Sequence, residues 1–288
     1  MRKRFLMCRP DFFDVEYLIN PWMDGNIHQV NKTLAVSQWE TLHNIVSKYA
    51  DVELIDPVEG LPDMVFTANA GLPILGTESV IISSFLHPER QPEEQHFLEW
   101  FQKHRFHVAG LPCRSEGLTF EGAGDALVDV TGSYWMACGS RSSEGFFQSL
   151  KNTLPQLSWH QLELATPDFY HLDTCFAPLS KGHVLFYPGA FTEKSVNQIW
   201  DDSGLVFMIS VVEGGVTHYN TIPIVISESD ANQFAANVID IDGVLIAHRM
   251  STELVDLLEG YGYTVILTNL SEFLKAGGGA KCLVLPLN

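Results

Sequence analysis

The sequence predicts an α/β protein in which strands and helices alternate from end to end. Three observations carry this reading. Short runs rich in β-branched and aromatic residues recur along the chain, segments with apolar residues at helical spacing lie between them, and no Pro/Ser-rich linker or shift in composition divides the 288 residues. One domain spanning 1–288 is the simplest organisation.

The first helix is expected near 28–50, where Leu42, Ile45, Val46 and Tyr49 recur at helical spacing. A strand is expected in 62-PDMVFTANAGL-72, running into an asparagine turn at Asn69 and Gly71, and another at 79-SVIIS-83. Pro92 opens a second helix marked by Phe97, Leu98 and Phe101, and 134-YWMAC-138 is the next strand. In 168-DFYHLDTCFAPL-179, strand alternation puts His171, Asp173 and Cys175 on one face and Leu172, Thr174 and Phe176 on the other. After the strand 183-HVLFY-187, helices are expected behind the caps Thr192, Ser251 and Ser271, the second ending near Gly260. The strands 221-TIPIVI-226, 263-YTVIL-267 and 282-CLVLPL-287 alternate with them.

Composition narrows the function. Apolar residues make up 46% and charged residues 18%, which excludes a disordered chain. Asp and Glu outnumber Lys and Arg by 35 to 17, and the formal charge of -18 repels phosphate backbones and anionic lipid, so neither nucleic acid nor membrane is an expected partner. The longest apolar run, 205-LVFMISVV-212, falls short of the ~18 residues of a membrane span. The apolar segment after the basic MRKR start is too short for a secretory signal. Five cysteines, at 8, 113, 138, 175 and 282, form no CxxC pair and no zinc spacing, which fits free thiols in a cytoplasmic protein without a metal site. The stretch 122-GAGDAL-127 lacks the third glycine of a dinucleotide loop, and no phosphate loop or GxSxG elbow is present. No cofactor is implied.

Polar residues in apolar settings remain as candidates for chemistry. Glu121 and Asp125 lie in 120-FEGAGDAL-127, where a carboxylate needs a histidine or a cationic ligand as partner or else a solvated turn. His171 and Asp173 place a base beside a carboxylate, on a face that water alone could also cover. Arg90 and Arg141 are either anion clamps or surface charges. Cys282 follows Gly277, Gly278 and Gly279; it is either a small buried hydrophobe or a thiol presented by a glycine loop, and Cys175 competes for the same role. A thiol, a base and an orienting carboxylate together meet the needs of covalent catalysis.

Six stretches in order, 7-MCRPDFFDVEYLINPWM-23, PDMVFTANAGL, HPERQ, FEGAGDAL, HLDTC and FLKAGGGAKCL, resemble the guanidine-modifying enzymes: arginine deiminases, amidinotransferases and dimethylarginine dimethylaminohydrolases. The resemblance implies a five-bladed α/β-propeller of ββαβ units around a central channel, although no repeat is visible in the sequence. It implies Cys282 as nucleophile, His171 as general acid and base, Glu121 as the carboxylate beside it, Asp173 as guanidinium partner, and Arg90 and Arg141 as clamps for a substrate carboxylate. The implied ligand is a small cationic guanidino amino acid, arginine or a methylated arginine.

Two departures bear on the substrate. Where the dimethylarginine enzymes carry Glu-Asp and the deiminases Arg-Asp, this chain has Ala68-Asn69. That change, with Asn20 in 17-YLINPWM-23, resembles the bacterial arginine dihydrolases, which convert arginine to ornithine, carbon dioxide and two ammonia. Val284 stands where relatives commonly have Thr or Ser. The alternatives are deimination or demethylamination to citrulline, amidino transfer, and a non-catalytic propeller that binds without reacting.

Overall fold

The computed structural model describes residues 2–109, 116–202 and 222–288. Cys113, the apolar run 205–212 and Thr221 lie outside the described residues. Five three-stranded sheets make up the fold. Four follow one plan: an antiparallel hairpin, a helix, and a third strand parallel to the second.

The first sheet in chain order is built from both ends of the chain. Strand β1 (Arg4–Cys8) is followed by α1 (Lys32–Tyr49) and the parallel strand β2 (Asp51–Ile55). The remaining sheets, in chain order, begin with β3 (Gly71–Pro73), β4 (Ser79–Ile82), α2 (Glu93–Lys103) and β5 (His107–Ala109). They continue through β6 (Ala126–Val128), β7 (Tyr134–Cys138), α3 (Glu144–Thr153) and β8 (Trp159–Glu163). The fourth comprises β9 (Phe176–Pro178), β10 (His183–Phe186), α4 (Glu193–Asp202) and β11 (Ile222–Val225). After α5 (Glu228–Ala231), the last is β12 (Ile239–Ile241), β13 (Val244–Ala247), α6 (Thr252–Gly260) and β14 (Thr264–Leu267). Beyond α7 (Ser271–Leu274), β15 (Leu285–Pro286) pairs antiparallel with β1, Leu285 opposite Leu6, and closes the ring. This is the ββαβ propeller that the resemblance implies.

Local chemistry accounts for the helix ends. Ser251 Oγ accepts from Leu254 N and starts α6, as expected, and Ser251 is itself held by Asp230. Thr192 does the same for α4 through Ser195 N. Ser271 departs from expectation: it is the first helical residue, and its hydroxyl accepts from Gln38 Nε2 at 2.9 Å and does not cap. Asn31 caps the first helix, expected near 28–50, and Ser143 and Ser227 cap two helices that the apolar spacing did not reveal.

Three expected strands are corrected. Residues 62–70 form two 3-10 turns, Pro62–Val65 and Thr67–Ala70, and strand geometry begins only at Gly71. Residues 172–174 form another, because Thr174 bonds back to the His171 carbonyl through both its N–H (3.2 Å) and its hydroxyl (2.6 Å). The strand face expected to carry His171, Asp173 and Cys175 therefore does not exist. Cys282 likewise lies in a turn, Lys281–Leu283, and only Leu285–Pro286 pair as strand.

The repeat hidden in the sequence lies in these turns. Aligning the first residues of the inner strands, Gly71, Ala126, Phe176, Ile239 and Leu285, puts Ala68, Ala123, Asp173, Ala236 and Cys282 at one shared position. Phe66, Glu121, His171, Phe234 and Ala280 share a second position, and Asn69 and Asn237 fall together at a third. The turns of neighbouring sheets touch, so residues far apart in the chain meet at the centre of the ring. Further along the same strands, a cavity of about 520 Å³ is lined by Leu72, Ala126, Pro178, Ile239, Lys281 and Pro286. No helix among the described residues is long and apolar enough to cross a membrane.

Candidate active site

The inner turns enclose a small pocket of about 10 Å³ lined by Asp63, Asn69, Arg90, Arg141, His171 and Cys282, with Asn20, Phe66 and Tyr170 also on its walls. Cys282 and His171, separated by most of the fourth and fifth sheets in sequence, thus face one space.

Glu121 and His171 sit at equivalent turn positions and pair directly, His171 Nε2 to Glu121 Oε2 at 2.7 Å. The same oxygen accepts from Arg141 Nη1 at 3.1 Å, and Oε1 accepts from Leu86 N. Burial works against a charge on Glu121, but Arg141 and the imidazole outweigh it and hold the carboxyl below the usual range. The paired imidazole is pushed down to about 4, mainly by burial. At neutral pH it is uncharged, and with Nε2–H given to Glu121 its Nδ1 is left as the basic nitrogen.

Cys282 is buried and its Sγ lies 3.6 and 3.7 Å from the two Asp173 carboxylate oxygens. Burial and then Asp173 push the thiol up, so the resting side chain is a neutral thiol. Asp173 is itself raised to about 6 by burial, opposed by Lys281. Cys175 does not compete. Its sulfur packs beside the backbone of its own turn, within the apolar cluster around Phe176 and Phe186.

The glycines before Cys282 are needed, for a reason other than the exposure that the sequence implied. Gly277 has φ +82, and a Cβ there would meet Tyr170 Oη at 2.9 Å and Asn20 Oδ1 at 3.0 Å. A Cβ on Gly278 would overlap the Phe66 ring, and one on Gly279 would come within 2.7 Å of Asn237 Oδ1. The missing side chains admit neighbours that bury the loop.

The arginines differ. Arg90 makes four hydrogen bonds, two with the Glu93 carboxylate, one to Asn69 Oδ1 at 2.9 Å and one to Asp63 O, and stacks on Phe85. Burial raises Glu93 to about 7 against the pull of Arg90. Arg141 makes two, to Glu121 and to Ile19 O, over the Tyr170 ring, so more of its donors are open to a ligand anion. Asn69 ties Arg90 to the Glu121 carbonyl through its Nδ2. Asn20 caps the turn Pro21–Met23 and donates to Ala276 O, fastening the N-terminal segment onto the glycine loop.

Asp125, a candidate for ligand contact, is not on the pocket wall. It accepts from Ser142 Oγ at 2.6 Å and Leu172 N at 3.3 Å, bracing the Glu121 and His171 turns from behind. Two other residues that the sequence reading missed are at the site. Asp63 accepts from Tyr17 Oη at 3.0 Å, while its Oδ1 is buried with no hydrogen-bond partner and the residue lines the pocket. Asn237 touches Cys282 through both ends of its amide. An acid in the apolar stretch PDMVF, and the match of 66-FTAN-69 with 234-FAAN-237, were the available signals.

A buried thiol beside a carboxylate, an imidazole–carboxylate pair and an orphan carboxylate oxygen form a site for a cation that undergoes nucleophilic attack. Comparison with known proteins agrees. The chain is 45% identical over 285 residues to the bifunctional arginine dihydrolase/ornithine cyclodeaminase AgrE of Nostoc sp., covering 99% of this chain and 38% of AgrE, so it spans well under half of that relative. The crystal structure of the N-terminal domain of ArgZ, a cyanobacterial arginine dihydrolase, in a cysteine-to-serine variant bound to substrate, superposes with a TM-score of 0.88 at 42% identity, covering 99% of this chain and 98% of that one. A second variant of that domain, covalently bonded to a reaction intermediate, matches with the same TM-score, identity and coverage. The family model described as "N,N dimethylarginine dimethylhydrolase, eukaryotic" matches residues 19–288, and the chain belongs to that family of guanidine-modifying enzymes.

Proposed function

We propose that the chain is an arginine dihydrolase, converting L-arginine and two water molecules to ornithine, carbon dioxide and two ammonia through a covalent adduct on Cys282. The observation that carries this reading is the Cys282 sulfur held beside the Asp173 carboxylate in the same pocket as the His171–Glu121 pair. Asp63 Oδ1 takes the α-ammonium, Arg141 with Arg90 takes the α-carboxylate, and Asp173 takes the guanidinium. The arriving cation offsets the negative charge around the sulfur, and the thiol proton passes to His171. Sulfur attacks the guanidinium carbon, a C–N bond breaks, and imidazolium protonates the departing ammonia. His171 then takes a proton from water, which displaces sulfur and leaves a ureido group. A second round on that group yields the second ammonia, carbon dioxide and ornithine. A working thiol nucleophile calls for a reducing compartment, and we place the enzyme in the cytoplasm on that ground.

Incubation with L-arginine, quantifying ornithine, citrulline and ammonia, tests the reading; the expected result is ornithine with about two ammonia per arginine, as the balanced equation requires. The family model favours a second reading, release of dimethylamine from dimethylarginine. Citrulline from that substrate and no ornithine from arginine would select it.

Asn69 is where the neutral second substrate bears on the wall. A neutral amide accepts both a guanidinium and an uncharged ureido group, whereas a carboxylate favours the cation alone. The Asn69→Asp variant is therefore expected to raise the citrulline-to-ornithine ratio severalfold; an unchanged ratio removes the argument.

Asp173 sets a pH dependence with a definite sign. Its carboxyl, raised to about 6, is protonated below that pH and cannot hold a guanidinium, so kcat/KM climbs toward pH 6 and levels above it. The Asp173→Asn variant loses this limb along with most of its activity. Because ionisation is harder in the folded chain than in the unfolded one, Asp173 costs no stability below about 4 and its full cost, on the order of a few kcal/mol, above about 6. The melting temperature of Asp173→Asn should exceed that of the parent at pH 8 and match it near pH 4.

A further inference from the structure

Three hydrogen bonds converge on one side chain that the reaction as described does not use. Asn237, at the end of the 3-10-like turn before β12, donates from Nδ2 to Cys282 Sγ at 3.1 Å and to the Asp173 carbonyl at 2.9 Å, while its Oδ1 accepts from Cys282 N at 3.1 Å. The backbone donor and the backbone acceptor together leave one orientation for the amide, so the group facing sulfur is an N–H. Asn237 is fully buried, and the absence of a side chain at Gly279 lets it approach so closely. Its counterpart in the ring is Asn69, which spans Arg90 and the Glu121 carbonyl.

We infer that Asn237 is a catalytic residue: its side-chain N–H holds the Cys282 sulfur as a thiolate, and its carbonyl fixes the nucleophile's backbone. The bond to sulfur is present in the resting thiol and strengthens when the proton leaves, because a donor facing a full negative charge is worth more than one facing a neutral sulfur. The backbone N–H of Gly279 also faces the sulfur, and the other near side chains point their bonds elsewhere. Asp173 opposes the charge, Lys281 favours it from the same turn but reaches toward the Ala123 carbonyl, and Tyr170 donates to Gly277 O. Arg90 and Arg141 line the pocket but are tied to Glu93 and Glu121, with His171 and Asp63 the remaining titratable groups on its wall. Asn237 is thus the side-chain donor that, with the backbone N–H of Gly279, makes the ionised sulfur tolerable beside Asp173. The same amide also retains the sulfur when water expels it from the adduct, since the leaving group is again a thiolate. This role rests on Cys282 as the reacting atom and holds for any electrophile in the pocket.

The test follows the thiol itself and needs no substrate. Alkylation of Cys282 by iodoacetamide, a small neutral reagent, is measured as a function of pH by mass spectrometry of the C-terminal peptide in the parent, Asn237→Ala and Asn237→Asp. The aspartate keeps an oxygen for Cys282 N and nearly the same volume, so it provides a folded variant if the alanine protein does not accumulate. Loss of one charge-assisted bond should move the alkylation midpoint up by about one pH unit in Asn237→Ala, roughly tenfold slower labelling at a fixed pH below the midpoint, and further in Asn237→Asp. A midpoint within about 0.3 unit of the parent in a folded variant, with only the melting temperature lowered, overturns the inference and makes Asn237 a strut. Failure of the arginine assay with a moved midpoint would refute the substrate and leave Asn237 standing; turnover with an unmoved midpoint would do the reverse.

Discussion

Replacing Cys282 with alanine is expected to reduce arginine hydrolysis by about 10⁴-fold or more, to the level of the buffer blank. Nothing else in the pocket can substitute for it. The other described cysteines are buried away from the wall, and Cys175 is packed within an apolar cluster, two residues past the position that Asp173 shares with Cys282. Substitution by serine separates chemistry from binding. The hydroxyl nearly preserves the packing of the glycine loop and the contacts of Asn237 and Asp173, while an alkoxide is far less accessible than a thiolate at neutral pH. Calorimetry of Cys282→Ser should therefore give an arginine Kd within a few fold of the parent's KM-level binding, with turnover lost. Removing the thiol from between Asp173 and Asn237 leaves the fold intact, so a melting curve near that of the parent accompanies the loss. Turnover within tenfold of the parent in either variant would remove the covalent route altogether.

How far the site could be read from the chain depends on the distance over which each residue acts. Cys282, His171, Glu121 and Arg90 were legible because each lies in a stretch whose order along the chain is itself distinctive, Arg141 only through the resemblance those stretches carry, and the structure brings all five together. The helices behind Ser251 and Thr192 were legible because a cap and an apolar stripe are local signals. The ring was not, since its inner strands β3, β6, β9 and β12 are three residues long, too short for alternation to register, and the repeated unit is a turn whose residues differ in every sheet. Asp173 was assigned to a strand face; the side-chain hydroxyl of Thr174, bonding back to the His171 carbonyl, turned the backbone and sent its carboxylate to Cys282 instead. Asp63 and Asn237 were missed because their importance lies in what they touch from 46 and 45 residues away, Tyr17 and Cys282, which no local pattern encodes. The glycines show the same limit from the other side. Their conformational freedom was read correctly and its consequence reversed, because whether a bare backbone exposes a thiol or buries it depends on Tyr170, Phe66 and Asn237 arriving from other sheets.

Substituting His171 with glycine is expected to lower turnover of arginine by about 10²- to 10⁴-fold, and the size of the loss should depend on the leaving group. Ammonia leaves a tetrahedral carbon only when it carries a proton, and the imidazole beside Glu121 is the group placed to deliver one. A substrate whose leaving group needs no proton, such as the S-methylisothiourea analogue of arginine, releases methanethiol by attack of sulfur alone. With this analogue His171→Gly should still form one equivalent of methanethiol per active site and then stall, because water is no longer deprotonated to resolve the adduct. Intact mass spectrometry should show that adduct on the variant and not on the parent, where His171 clears it. Added imidazole should restore release, since the cavity left by the ring opens beside Glu121 Oε2, which keeps only its bond from Arg141. The companion variant Glu121→Gln locates the carboxylate's share. A neutral amide still accepts from Nε2–H but gives no charge to stabilise the imidazolium that must protonate the departing ammonia, a step the analogue does not need, so the arginine reaction should slow more than the analogue's first step. Equal losses with both substrates in His171→Gly would show that the imidazole acts before the leaving group departs, on the thiol or on the shape of the pocket, and delivery of the ammonia proton would then have to be assigned elsewhere.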